Sequence, residues 1–61
     1  MKKKELKNLA QRIAEQERIL QDTSITSDER REAENNIFLL ASKVTSLEDM
    51  DLLDEYIQEL L

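Results

Sequence analysis

Ile37-Phe38-Leu39-Leu40-Ala41 is the longest apolar run of this 61-residue chain, and it lies in a segment that otherwise has the pattern of a surface helix. Successive residues of an α-helix lie about 100° apart around its axis, so one face cannot hold five consecutive side chains. On a helical projection, four of the five side chains form one widened core stripe, with Phe38 at its edge. Leu39 alone points to the opposite side. The run therefore predicts a helix that carries one misplaced apolar residue.

The composition around this run favours an all-α fold. Gly and Pro, which tight turns, hairpins and phosphate-binding loops commonly use, are both absent. Leu, Glu, Lys, Gln and Arg are good helix formers, and they are abundant. The length suits one helical domain, residues 1–61, and chains near this size bury only about 60% of the surface that they expose when unfolded. A small core that gains from association with a partner is expected.

Apolar spacing divides the chain into helices at about residues 3–21, 27–44 and 47–61. Thr26 with Glu29 fits a capping box at the start of the second helix, and Ser46 with Asp49 fits a looser one at the start of the third. Only one or two residues then separate the second and third helices. Since short connections make successive helices antiparallel neighbours, we predict a small antiparallel three-helix bundle, or a helical hairpin with a shorter third helix.

The core stripe of each helix follows from residues that recur at intervals of three and four. The predicted core residues are Leu6, Leu9, Ala10, Ile13, Ala14 and Leu20 in the first helix, Ala33, Ile37, Leu40, Ala41 and Val44 in the second, and Met50, Leu53, Ile57, Leu60 and Leu61 in the third, with Leu47 at the edge of the third stripe.

Charge is distributed unevenly along the chain, whose net charge is −5. Residues 1–22 contain six basic and four acidic residues, whereas residues 46–61 contain six acidic residues and no basic one. An up-down-up arrangement brings Lys2–Lys4 close to Glu48, Asp49 and Asp51, and this proximity would favour that topology. An acidic chain repels nucleic-acid backbones and anionic membranes, so neither is an expected partner.

The residue types argue against catalysis. His and Cys are absent, which removes the usual general base, the thiolate nucleophile and the commonest soft metal ligands. The serines of the turns and caps have no activating base. Asp51, Asp54 and Glu55 lie within one helical turn and fit a solvated acidic face better than a metal site. We therefore expect no enzyme activity, catalytic residue, metal, cofactor or small-molecule substrate.

Apolar residues that lie off the core stripes are the main functional signal. Singly they are ordinary, but joined in one patch they would be unusual for a small monomer. One interpretation is that they bind a second copy or another protein, with acidic residues steering a basic partner. The other is that the third helix is held on two sides, which would bury Leu52 and Tyr56. The predicted partner-binding residues are Ile19, Leu39, Leu52, Tyr56, Asp51 and Glu55.

The sequence thus predicts a non-enzymatic protein–protein interaction module that binds a partner protein or itself, as a homodimer. The alternative is a small nucleic-acid-associated regulator that uses the basic N-terminal helix. Its basic residues do not keep to one helix face, and no aromatic residue lies among them. We expect a cytoplasmic protein, because Cys is absent, the basic N-terminus is not followed by an apolar stretch, and no run is long enough to span a membrane.

Overall fold

A computed structural model describes all residues, 1–61, and it contains three α-helices and no strand. Helix α1 is Lys3–Gln21, α2 is Ser27–Ala41 and α3 is Leu47–Leu60. Helix α1 packs against both α2 and α3. The predicted all-α three-helix bundle is confirmed.

Contacts between the helix ends define an up-down-up topology. The Met1 ammonium group lies 3.1 Å from Asp49 Oδ2, so α1 and α3 start at the same end. The Arg18 guanidinium donates to the Leu60 carbonyl oxygen at 2.7 Å, so they also finish together. Helix α2 runs in the opposite direction along the other side of α1. No Cα atom of α2 lies within 8 Å of a Cα atom of α3, so the predicted neighbour contact between these two helices is not formed by their backbones.

The core follows α1, which contributes more buried side chains than the other two helices together. Alanines account for part of this packing: Ala10 is fully buried, and Ala14 and Ala33 are each 2% exposed. Their small side chains let the neighbouring helix backbones approach α1 closely. The other buried residues are Leu6, Leu9 and Ile13 of α1, Val44 in the connection between α2 and α3, and Leu53 and Ile57 of α3.

Local hydrogen bonds fix the start of α2. The Glu29 backbone N–H donates to Thr26 Oγ1 at 3.2 Å, and the Thr26 backbone N–H donates to Glu29 Oε1 at 3.4 Å, which confirms the predicted capping box. Upstream of the cap, the Asp22 carboxylate accepts from both the hydroxyl and the backbone N–H of Ser24, at 2.7 and 2.9 Å. These two bonds stabilise the charged carboxylate and lower the pKa of Asp22 below its ordinary value.

Helix α2 ends at Ala41, three residues before the predicted end at Val44. The Ser42 hydroxyl donates to the Leu39 carbonyl oxygen at 2.7 Å, and the next two backbone N–H groups bond three residues back instead of four. A short polar side chain that bonds the backbone in this way competes with helix continuation. The connection to α3 is therefore residues 42–46, longer than predicted, although Val44 is still buried as the periodicity indicated.

At the start of α3, only half of the looser capping box forms. The Asp49 backbone N–H donates to Ser46 Oγ at 3.5 Å. The Asp49 carboxylate turns instead to the Met1 ammonium group, and this is the one ion pair of the fold. The basic and acidic ends therefore meet as expected, but through the Met1 amino group and not through Lys2–Lys4. A pair this exposed contributes at most about 1 kcal/mol.

We expect Leu6→Ala to lower the free energy of unfolding by about 2–4 kcal/mol, because it opens a cavity where α1 meets both other helices. Leu39→Ala is the matched control: the same atoms are removed from a side chain that is 60% exposed, so its effect should stay below about 0.5 kcal/mol. Urea unfolding followed by circular dichroism measures both. Equal losses for the two variants would contradict this core assignment.

Candidate functional site

The buried interior offers no polar chemistry. All nine buried residues are apolar, and no buried side-chain nitrogen or oxygen atom lacks a hydrogen-bond partner. No group of three His, Cys, Asp or Glu side chains is arranged to hold a metal ion. None of the helices combines the length and the apolar character that a membrane crossing requires.

Two of the predicted partner-binding residues, Ile19 and Leu39, lie on the side of the molecule where α1 meets α2. Ile19 is 41% exposed and Leu39 is 60% exposed. They line two separate depressions that both include Gln16 and Asn36. The Asn36 side-chain amide donates to Gln16 Oε1 at 3.2 Å, so a polar bridge lies between the two apolar side chains.

Leu52 and Tyr56 lie on the other side of α1, where it meets α3. Both are half-buried and pack against the core. The Lys7 Nζ atom lies 5.5 Å from the centroid of the Tyr56 ring, within cation–π range. These side chains therefore take part in holding α3 onto α1. The backbone of α3 packs against α1 alone, so the expectation that α3 is held on two sides is not met.

The predicted residues consequently do not form one patch. Leu39 shares a depression with Arg12 of α1, whereas Tyr56 shares one with Lys7 and Gln11, on the opposite side of the same helix. The two predicted acidic positions of α3, residues 51 and 55, are exposed and point away from the core.

Phe38 was expected at the edge of the core stripe, and that expectation is wrong, because its side chain is 72% exposed. On the helix it lies about 160° from Leu40, which packs on the core. Glu34 and Arg31, four and seven residues earlier, lie in the same column and are both exposed. This charged column was the signal in the sequence that Phe38 faces solvent.

Four further residues predicted within or at the edge of the third stripe are also exposed. Leu47, placed at the edge of that stripe, is 81% exposed, and Met50, placed within it, is 42% exposed. The reason is the separation of the backbones of α2 and α3, which leaves the α2-facing side of α3 partly uncovered. At the far end of α3, Leu60 and Leu61 are 39% and 53% exposed as well.

Phe38, Leu47 and Met50 lie on the same side of the bundle, which we call the α2–α3 face. On α2, Leu39 lies on the side that borders Arg12 of α1. Phe38 lies about 100° around the helix from Leu39, toward α3. On α3, the buried Leu53 faces the core, and Tyr56 lies on the side of Leu53 that borders α1. Leu47 and Met50 lie on the other side of Leu53. The α2–α3 face is therefore the side directed away from α1.

The three side chains also lie near the same level along the bundle axis. Phe38 is three residues before the end of α2, and Met50 is three residues after the start of α3. At about 1.5 Å per residue, each is about 4.5 Å from the end of its helix at the connection 42–46. No depression of the surface includes any of the three, so the α2–α3 face is a surface and not a pocket.

Acidic side chains lie beside this apolar surface, most of them on α3. Glu34 lies one turn from Phe38 on α2, and Asp51 and Asp54 lie four residues after Leu47 and Met50 on α3; all three acids are exposed. None of them takes part in an ion pair, because the single ion pair of the protein joins Met1 to Asp49. The α3 side of this face therefore carries negative charge without a basic neighbour, whereas Glu34 on the α2 side lies within one turn of Arg30 and Arg31.

Comparison of the chain with protein-family models, with curated proteins and with solved structures finds no significant match. The fold and the surface define a small helical bundle with an exposed apolar face.

We expect Phe38→Gln to change the free energy of unfolding by less than about 0.5 kcal/mol, because the ring is mostly in water already. Leu53→Gln, a core position on the adjacent helix, should cost at least about 3 kcal/mol, because it buries an amide among apolar side chains. Thermal and urea unfolding measure both. A loss above about 1.5 kcal/mol for Phe38→Gln would place Phe38 in the core and remove it from the α2–α3 face.

Proposed function

We propose that this protein is a non-enzymatic protein–protein interaction module that binds through the α2–α3 face. The observation that supports this proposal is the exposure of Phe38, Leu47 and Met50 on one side and at one end of the bundle. Scattered exposed apolar side chains are normal on any protein. Several large ones grouped together on a small domain are typical of a binding surface.

The small core supplies a thermodynamic reason for such a contact. Only nine of the 61 residues are buried, and domains of this size gain little stability from one core. Burying a Phe or Leu side chain that was exposed contributes about 1.5–3 kcal/mol. A partner that covers Phe38 and Leu47 would therefore add stabilisation comparable to that of about two core residues.

The proposed surface differs from the one that the sequence alone indicated. Leu52 and Tyr56 are engaged with the core and Lys7, so we assign them to the fold. Asp51 stays in the proposal as part of the acidic rim. Ile19 and Leu39, divided by a polar bridge, form a lesser apolar surface between α1 and α2.

A nucleic-acid-associated role remains the second candidate, and the positions of the basic residues give it little support. Lys7 lies over the Tyr56 ring, and Arg18 donates to a backbone carbonyl at the end of α3. Arg12 lies on the other side of α1, beside α2. We retain a cytoplasmic location and the absence of a small-molecule substrate as parts of the main proposal.

The test uses the full chain, immobilised through a C-terminal tag, with bound proteins identified by mass spectrometry and self-association followed by sedimentation equilibrium. We expect wild-type protein to retain a specific partner or to self-associate. Phe38→Gln and Leu47→Gln should each weaken that interaction at least about thirtyfold, because central apolar contacts of an interface contribute about 2 kcal/mol or more. Leu39→Gln is the matched control and should bind as wild type does.

Two results would overturn the proposal. A wild-type chain that stays monomeric and retains no protein would leave the exposed apolar side chains without a binding role. An interaction lost in Leu39→Gln and kept in Phe38→Gln would place the interface between α1 and α2 instead.

A further inference from the structure

Resting on the proposed function, we infer that the occupant of the α2–α3 face is an amphipathic helix of another protein, with Lys or Arg residues on the side of its apolar stripe that faces α3. The supporting observations are the placement of exposed apolar side chains on two antiparallel helices and the negative charge beside them on α3.

The placement of the apolar side chains on two helices suits a single helix as ligand. Helices α2 and α3 are antiparallel, and none of their Cα atoms approach within 8 Å of each other. A fourth helix laid over the line between them would contact Phe38 on one side and Leu47 and Met50 on the other. It would complete a four-helix arrangement around the existing core, as in four-helix bundles. Helix recognition of this kind uses apolar residues at positions i, i+3 or i+4, and i+7 of the ligand.

The charge selects a basic ligand over a second copy of the chain. Asp51 and Asp54 border the apolar side chains on α3, where no basic residue is present, whereas on α2 Glu34 lies within one turn of Arg30 and Arg31. A second copy would bring the same acids to the same interface, within a pair of chains that each carry a net charge of −5. Like charges brought together at an interface disfavour association, whereas opposite charges speed it and fix its orientation.

The ligand length follows from the helices that it would cover. Helix α2 has 15 residues and α3 has 14, which corresponds to about 21–22 Å at about 1.5 Å per residue. A peptide of about 18 residues spans this distance, and its apolar contacts would lie at the end nearest the connection 42–46.

The experiment compares two synthetic 18-residue helical peptides. Both carry Leu at i, i+3, i+4 and i+7 repeats, and they differ only in having Lys or Glu beside this stripe. Binding to the full chain is measured by fluorescence anisotropy, and amide chemical shifts of ¹⁵N-labelled protein locate the contact. The protein variants are Phe38→Gln, the double variant Asp51→Asn/Asp54→Asn and, as control, Leu39→Gln.

We expect the Lys peptide to bind at least about tenfold more tightly than the Glu peptide, with shifts centred on Phe38, Leu47 and Met50. Phe38→Gln should weaken binding by about thirtyfold, as expected for a central apolar contact. Asp51→Asn/Asp54→Asn should weaken it by about fivefold, and raised salt should reproduce that smaller loss, because rim charges are screened. Leu39→Gln should bind as wild type does.

Each other outcome overturns the inference. Wild-type protein that dimerises through Phe38 in sedimentation equilibrium would make a second copy the occupant, while the proposed interaction module would stand. Equal binding of the two peptides at the α2–α3 face would remove the charge selectivity and leave the face. Two further outcomes would refute helix capture at this face. One is chemical-shift changes on the outer acidic side of α3 that are insensitive to Phe38→Gln, and the other is no binding of either peptide. The proposed function would then depend on the partner experiment alone.

Discussion

Packing of two helices against the single apolar stripe of α1 is the constraint on which the rest of the structure depends. Helix α1 contacts both partners, while α2 and α3 do not approach each other at the backbone. Leu6 and Ala10 are fully buried in this stripe, and Ile13 is 2% exposed. Because α1 is shared, removal of its large side chains should loosen both interfaces at once.

The same constraint explains the exposed apolar face. A helix that is covered by only one neighbour buries a narrow stripe, and apolar side chains beyond that stripe remain in water. On α2 and α3 these side chains are Phe38, Leu47 and Met50, all on the side away from α1. The open side of the bundle and the proposed binding surface thus have one physical origin.

The sequence correctly predicted those features of the fold that depend on residues close to one another in the chain. Helix α1 has its predicted bounds, and the Thr26–Glu29 capping box forms because its partners are three residues apart. Leu39 is exposed, as its angle on the helix required. The start of α3 was also predicted, because Ser46 provides a local cap.

The predictions that were wrong concern features that depend on contacts between helices or on a competing local hydrogen bond. Periodicity gives the angle of Phe38 and Met50 on their helices, but it does not say how far a neighbouring helix extends over them. That is why Met50 was placed in the core, whereas for Phe38 the charged column of Glu34 and Arg31 was a sequence signal that apolar periodicity alone did not use. The early end of α2 rests on a hydrogen bond from the Ser42 hydroxyl, which has no signal in the apolar pattern.

The most direct measurement of which apolar side chains face water is the broadening of side-chain NMR signals by a soluble gadolinium chelate, at low protein concentration. Signals of Phe38, Leu47 and Met50 should broaden strongly, while those of Leu6 and Leu53 stay protected; a Phe38 ring as protected as Leu53 would contradict the account.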